Sequence, residues 1–231
     1  MDRLANSNPE AYAYRFAESY IEEEGLQCEN IKTFGTEMQV GMTALCEKTG
    51  RHTKKMYGLI RPDVKGKTVL ELATGTGLIA KNIVNVAAHI EATDASVEMI
   101  AEAKRNNQSA KLHFSVQDMF RLPYADKSFD VVIVSNALHI VPQPEKALAE
   151  IHRVLKDDGV LIAPTFTHAG NSFFGKVRAF FMKLAGFPLH SKWTSEEYLC
   201  FLRQNGWAVR KSVVLKASFP LTYAECEKTE V

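Results

Sequence analysis

The chain has 231 residues, 46% hydrophobic and 24% charged, which is enough apolar material for one sizeable domain with a true core. Lys and Arg number 28 against 27 Asp and Glu, a net charge of +1, so a dedicated nucleic-acid surface, which carries a strong basic excess, is not expected. No stretch reaches the roughly 18 uninterrupted apolar residues of a membrane span, and MDRLANSNPEAYAY is not of signal-peptide type; a cytoplasmic protein without stable membrane insertion is expected.

Residues 9–24 read as a helix, with Pro9 in its first turn and Gly25 after its end. Tyr12, Phe16 and Tyr20 recur at four-residue intervals and form one aromatic stripe, suited either to seating the helix or to covering a cleft. Residues 36–60 read as one or two further helices. Next comes VLELATGTGLIA (69–80), an apolar strand ending near Glu71, a turn through Gly75 and Gly77, and an apolar helical segment. Two glycines one residue apart let the backbone bend sharply and approach a ligand closely. A phosphate-cradling loop requires Lys and then Ser or Thr after its last glycine, and Leu78-Ile79 stand there instead. The letters also satisfy the dinucleotide pattern GxGxxA. Glu71 decides against that reading, because a fixed negative charge gains a pyrophosphate nothing and suits a ligand with positive charge or hydrogen-bond donors.

HIEATD (89–94) reads as a second strand ending in Asp94, 23 residues after Glu71, close to the roughly 20-residue offset at which an acidic residue reaches ribose hydroxyls. Ser96 follows as a helix N-cap, with Met99 and Ile100 opening the apolar face. KLHFSVQD (111–118) is a third strand ending in Asp118. The unbroken apolar run Phe129 to Val134 is a fourth, of the kind covered by helices on both faces. VLKDDGVLIAPTF (154–166) supplies a helix end, a turn at Asp158-Gly159 and a fifth strand.

Taken in this order across residues 67–166, these segments resemble the class I S-adenosylmethionine-dependent methyltransferases, with residues 69–80 as motif I (E/D-x-G-x-G-x-G) and Ala73 in its first glycine position. The A-T-G-T-G variant is similar to that of the ubiquinone/menaquinone-type C-methyltransferases. The resemblance implies a Rossmann-like α/β fold with a seven-stranded sheet in the order 3-2-1-4-5-7-6, the last strand antiparallel. It also implies S-adenosylmethionine as cofactor, a ligand with an ammonium, a sulfonium and no phosphate. The implied cofactor contacts are Glu71, Ala73, Gly75, Gly77, Asp94, Ala95, Met99, Asp118, Met119 and Asn136, with Asp118 accepting from the adenine amino group and Met119 beside the base. SNALHIV stands where DNA N-methylating relatives carry Asn/Asp-Pro-Pro-Tyr/Phe, so that branch is disfavoured.

His139, just past the fourth strand, is the candidate catalytic residue. A general base is needed only if the acceptor must lose a proton, and an imidazole suits that work at neutral pH. Alternatively, this His packs or bonds to the backbone. His168 and His190 are weaker candidates. Between them, NSFFGKVRAFFMKLAGF (171–187) places Phe173, Val177, Phe180 and Leu184 on one helical face, open to core packing, a dimer contact, an apolar substrate wall or a membrane-surface helix. Thr194 or Ser195 caps a last helix ended by Gly206, and WAVRKSVVLKASF with LTYAECEK read as a closing hairpin, which a nicotinamide-binding domain would lack. Cys28, Cys46, Cys200 and Cys226 are dispersed and without a CxxC pair, hence reduced thiols rather than a zinc site; no metal is expected. The expected organisation is a helical lid at 1–60 and a cofactor-binding domain at 61–231 with a substrate-side insertion at about 168–192. The expected state is monomer or homodimer. The expected activity is methyl transfer to a small, partly apolar molecule. Its alternatives are a nicotinamide-dependent oxidoreductase and a non-catalytic binding protein on the same fold.

Overall fold

Apolar strands alternate with amphipathic helices along the chain, and that alternation builds a parallel sheet with helices on both faces. The computed structural model describes residues 50–105, 107, 109–167, 193–215 and 220–229. The elements are α1 (Gly50–Val64), β1 (Thr68–Leu72), α2 (Leu78–Ile83), β2 (His89–Asp94), α3 (Val97–Lys104), β3 (Leu112–Val116), β4 (Phe129–Val134), α4 (Pro144–Val154), β5 (Leu155–Ile162), β6 (Thr165–Phe166), α5 (Ser195–Gln204), β7 (Trp207–Leu215) and β8 (Leu221–Lys228). The expected helix at 9–24, the insertion at 171–187, His168, His190, Cys28 and Cys46 lie outside the described residues.

The sheet runs β3-β2-β1-β4-β5-β8, with β6 also on β8 and β7 along the other edge of β8. Strands β1 to β5 pair in parallel, while β8 is antiparallel to β5, β6 and β7. This is the expected order 3-2-1-4-5-7-6 with one addition. Pro164, which has no N–H to give the ladder, stands between β5 and β6, so the fifth strand is split and the sheet has eight strands. A second difference concerns Asp158-Gly159, expected as a turn. Those residues stay within β5, and the ladder passes from Phe129↔Leu155 to Val131↔Val160, so the extra residues form an irregularity in the strand.

Alternation along β1 divides the core. Val69 joins Ile90, Ile133 and the buried faces of α1, α2 and α3, whereas Leu70 and Leu72 join Val132, Val134, α4, α5 and Trp207 on the opposite face. Each large side chain buried this way contributes about 1.5–3 kcal/mol of transfer free energy. In α1, Met56, Tyr57, Ile60 and Val64 are buried at helical spacing. The helix therefore runs through the expected boundary at residue 60, and its last turn belongs to the core. Arg210 of β7 bonds Glu225 and Glu227 of β8 and also Asp63 of α1, clamping that turn to the sheet edge. At α5, Thr194 accepts from the Glu197 amide and Glu197 accepts from the Thr194 amide, a reciprocal cap worth about 1 kcal/mol. Cys226 is buried and free, and Cys200 is free and exposed.

Candidate active site

Because β1 to β4 are parallel, the loops after them gather at one end of the sheet, where ligands bind in open α/β folds. The β1–α2 loop bends left-handed three times, at Ala73 (φ 50°), Gly75 (φ 56°) and Gly77 (φ 76°). Ala73 stands in the left-handed region where the motif's first glycine would sit, at a strain of about 1–2 kcal/mol. A Cβ on Gly75 would meet nothing within 4 Å, whereas a Cβ on Gly77 would lie 2.6 Å from Phe114 Cζ. Gly75 therefore leaves its backbone open to an approaching ligand, and Gly77 lets α2 close against β3.

Asp94 organises this end of the sheet. Its Oδ2 accepts from the Gly75 amide at 2.8 Å, and its Oδ1 accepts from the Ser96 amide at 2.9 Å. One carboxylate thus ties the glycine loop to the start of α3, where Ser96 caps the Met99 amide as expected. Its carbonyl accepts from the Gln117 amide, bringing in the loop after β3. Burial raises the Asp94 carboxyl above its ordinary value, against the three backbone amides of Ser96, Gly75 and Ala95. Each oxygen keeps lone-pair capacity for a further donor.

Glu71 lies beneath the loop, 2% exposed. Burial pushes its carboxyl up to about 8; the Thr74 hydroxyl and Ala80 amide oppose the rise, and the charge of Asp94 adds to it. Among the described residues, Glu71 Oε2 and Thr74 Oγ1 are buried without a well-formed hydrogen bond. An unpaired buried carboxyl oxygen of this kind fits a site completed by a donor or a positive charge.

A cavity of about 110 Å³ opens beside Asp94, with Ala73, Ala95, Asp118 and Met119 in its walls. These four expected site residues come together from three loops. The remaining walls are Thr93, Gln117, Phe120, Val141 and Pro142, none of which the sequence analysis singled out. Their signal was position: Thr93 is next to the last residue of β2, and the others follow a parallel strand or lie in the loop after one. No basic side chain lines this cavity among the described residues. Ligand sites commonly reach about 300–1,000 Å³, so the described side chains supply part of a larger site. A wider depression of about 410 Å³ runs along α5, between Trp193, Glu197, Cys200, Phe201 and Gln204. It lies on α5 and includes none of the loops that follow the parallel strands.

Asn136 and His139 occupy the loop after β4. Asn136 is left-handed (φ 54°), its amide donates to Pro164 O, and its Oδ1 accepts from the Phe166 amide, so this side chain braces the loop against β6. His139 is 6% exposed, with Nδ1 2.8 Å from Thr165 Oγ1. The structure thus brings Ala73, Ala95, Asp118 and Met119 to one cavity, with Gly75 bonded to Asp94 beside it. It sets Met99 on the adjoining helix turn, Glu71 and Gly77 beneath the loop, and Asn136 with His139 at the β4–β6 corner.

Residues 70–163 match the family model described as a methyltransferase domain. The chain is 38% identical over 105 residues to the demethylmenaquinone methyltransferase of Renibacterium salmoninarum, a match covering 46% of this chain and 44% of that protein. The chain therefore spans about half the length of the curated relatives it matches. Among solved structures, a chain from the complex of the Haloferax volcanii Trm112 methyltransferase activator with its methyltransferase partner superposes with a TM-score of 0.71 at 21% identity, over 85% of this chain and 98% of that one. The [4+2]-cyclase SpnF superposes with a TM-score of 0.64 at 18% identity, over 78% and 82%. These likenesses show the fold, and a cyclase among them shows that the fold alone does not fix the reaction. The sheet order and the glycine loop held by Asp94 agree with the match of residues 70–163 to the methyltransferase-domain model.

Proposed function

We propose that the chain transfers a methyl group from S-adenosylmethionine to a small, partly apolar molecule in the cytoplasm. The observation that supports this reading is the open glycine loop, held by Asp94 at the Gly75 amide, beside a cavity that has Asp118 in its wall. The antiparallel β7–β8 pair is not the ending of a nicotinamide-binding domain.

In this reading Asp94 accepts from the ribose hydroxyls while holding Gly75, and Asp118 accepts from the adenine amino group with Met119 and Ala95 against the base. The Ala73–Gly77 backbone and Met99 shape the cleft, and Asn136 fixes the acceptor end. The sulfonium supplies a methyl group already activated for displacement. The protein then has chiefly to position the acceptor in line and exclude water. Free thiols at Cys200 and Cys226 suit a reducing compartment. Among the described residues no helix is long and apolar enough to cross a membrane. Residues 1–60 are the proposed lid, apart from the α1 turns at Met56, Tyr57 and Ile60 that pack in the core, and 168–192 the proposed substrate side, on the strength of their aromatic sequence.

The relative's name makes a reduced quinone the first acceptor to try. A panel of hydroquinones, catechols and polar amines should be screened for S-adenosylhomocysteine release. Release with the apolar hydroxylated aromatics supports the proposal, and release only with polar amines contradicts its substrate class. Stabilisation by NADH but not by S-adenosylhomocysteine would contradict the cofactor.

A further inference from the structure

We propose that Arg153, together with Glu150, is a positioning residue for adenine recognition: from α4 it sets the β3–β4 connection so that Asp118 presents its carboxylate to the cofactor's base. This rests on the methyltransferase reading above, in which Asp118 accepts from the adenine amino group. Residues 117–128, between β3 and β4, form neither helix nor strand, so their backbone groups need partners from elsewhere. At the near end the Gln117 amide donates to Asp94 O at 3.0 Å, and in the turn itself the Phe120 amide donates to Asp118 Oδ1 at 2.9 Å. At the far end two side chains of α4 supply the partners. The Leu122 amide donates to Glu150 Oε1 at 2.8 Å. Arg153 donates through Nη2 to Leu122 O at 3.1 Å, and through Nη1 to Tyr124 O at 2.7 Å and Asp126 Oδ1 at 2.8 Å.

The guanidinium is itself fixed. Its Nε and Nη2 donate to the two Glu150 oxygens at 3.0 Å and 2.7 Å, a bidentate pair that aims the rest of the fork at the Leu122 and Tyr124 carbonyls. The Arg153 hydrogen bond holds the Glu150 carboxyl below its ordinary value, and the Leu122 amide adds to the effect against burial, so Glu150 stays an acceptor at neutral pH. Leu122, held at both its amide and its carbonyl, is buried in the core, and Asp118 and Met119 stand in the cavity wall just before it in the chain. Asp94 thus anchors one end of this turn and the α4 pair anchors the other.

The test is calorimetric binding of S-adenosylhomocysteine, and of its 6-deamino analogue with hydrogen in place of the base's amino group, to the full chain. The wild type should prefer the amino-bearing ligand about tenfold or more, as expected for one hydrogen bond to a charged group. Arg153→Lys keeps the charge and the stem but not the planar fork, and should shrink the preference to about threefold or less. Arg153→Met should lose it at least as fully; if that variant does not fold, Arg153→Lys decides. Arg210→Lys, at the clamp on the opposite edge of the sheet, is the control: it should lower the melting temperature and leave the preference at the wild-type value. An undiminished preference in folded Arg153→Lys or Arg153→Met, whether or not overall affinity falls, overturns the proposal. So does a preference lost equally in Arg210→Lys, since general loosening would then explain it. A wild type that binds both ligands equally refutes the Asp118 contact and the proposal with it, whereas one that binds neither refutes the cofactor reading itself.

Discussion

Replacing Glu71 with Gln tests the buried carboxyl under the glycine loop. In the unfolded chain this group titrates near 4.5, and in the folded protein burial moves it to about 8. Between those values the folded chain holds one proton more than the unfolded chain, so stability falls as pH rises, by about 1.36 kcal/mol per unit. Below 4.5 both states are protonated and above 8 both are ionised, so the slope is confined to that window. Three and a half units amount to about 5 kcal/mol, as much as the whole stability of a marginal domain. Gln keeps the shape and cannot ionise. Urea unfolding followed by circular dichroism at about pH 5 and about pH 8 should show the variant gaining about 4 kcal/mol on the wild type across that range. A difference that stays constant with pH would refute the reasoning, because Glu71 would then ionise alike in both states. The same proton has a functional reading: a cation settling near Glu71 draws it off, so cofactor binding at neutral pH should release a proton in calorimetry, and Glu71→Gln should abolish the release.

Ala73→Gly should be neutral to stabilising by up to about 1 kcal/mol, since relief of the left-handed strain outweighs the entropy of the new glycine; a clear loss of stability would contradict the strain. Gly77→Ala should lower stability by about 1–3 kcal/mol through the 2.6 Å contact with Phe114, and Phe114→Leu in the same chain should return part of it; thermal melts with no change would dismiss the contact. Asp94→Ala frees Gly75 and removes charge-assisted bonds worth about 1.5–3 kcal/mol each, so S-adenosylmethionine affinity should fall at least tenfold in a folded variant, and unchanged calorimetric affinity would sink the assignment.

Periodicity and turn chemistry made the core legible. Phe129 to Val134 and His89 to Asp94 are strands with the expected ends, and Ser96 caps its helix as its position before Met99 and Ile100 implied. The β5 irregularity was hidden because Asp-Asp-Gly reads as a strand-ending turn, whereas the pairs Phe129↔Leu155 and Val131↔Val160 on either side keep it within one strand as a bulge. The cleft was legible where motif residues end strands, as with Asp94. It was not legible where a role depends on a partner far along the chain. Gly77 has a packing role that its motif does not announce, since Phe114, from β3, stands where a Cβ would lie. Asn136 Oδ1 accepts from the Phe166 amide, a pairing across 30 residues that no local pattern encodes. Glu71 carried the right charge for the argument, yet its depth, which decides its protonation, is a property of packing.

The central claim is methyl transfer from the Asp94 cleft. Its most direct test is incubation of the full chain with S-adenosylmethionine labelled in the methyl group and a reduced, prenylated quinone, followed by extraction of the organic phase. The account predicts label in the quinone, one S-adenosylhomocysteine formed per methyl transferred, and loss of both in Asp94→Ala. Saturable binding of S-adenosylmethionine with no label in any acceptor of the panel would contradict it and leave a cofactor-binding protein on a methyltransferase fold.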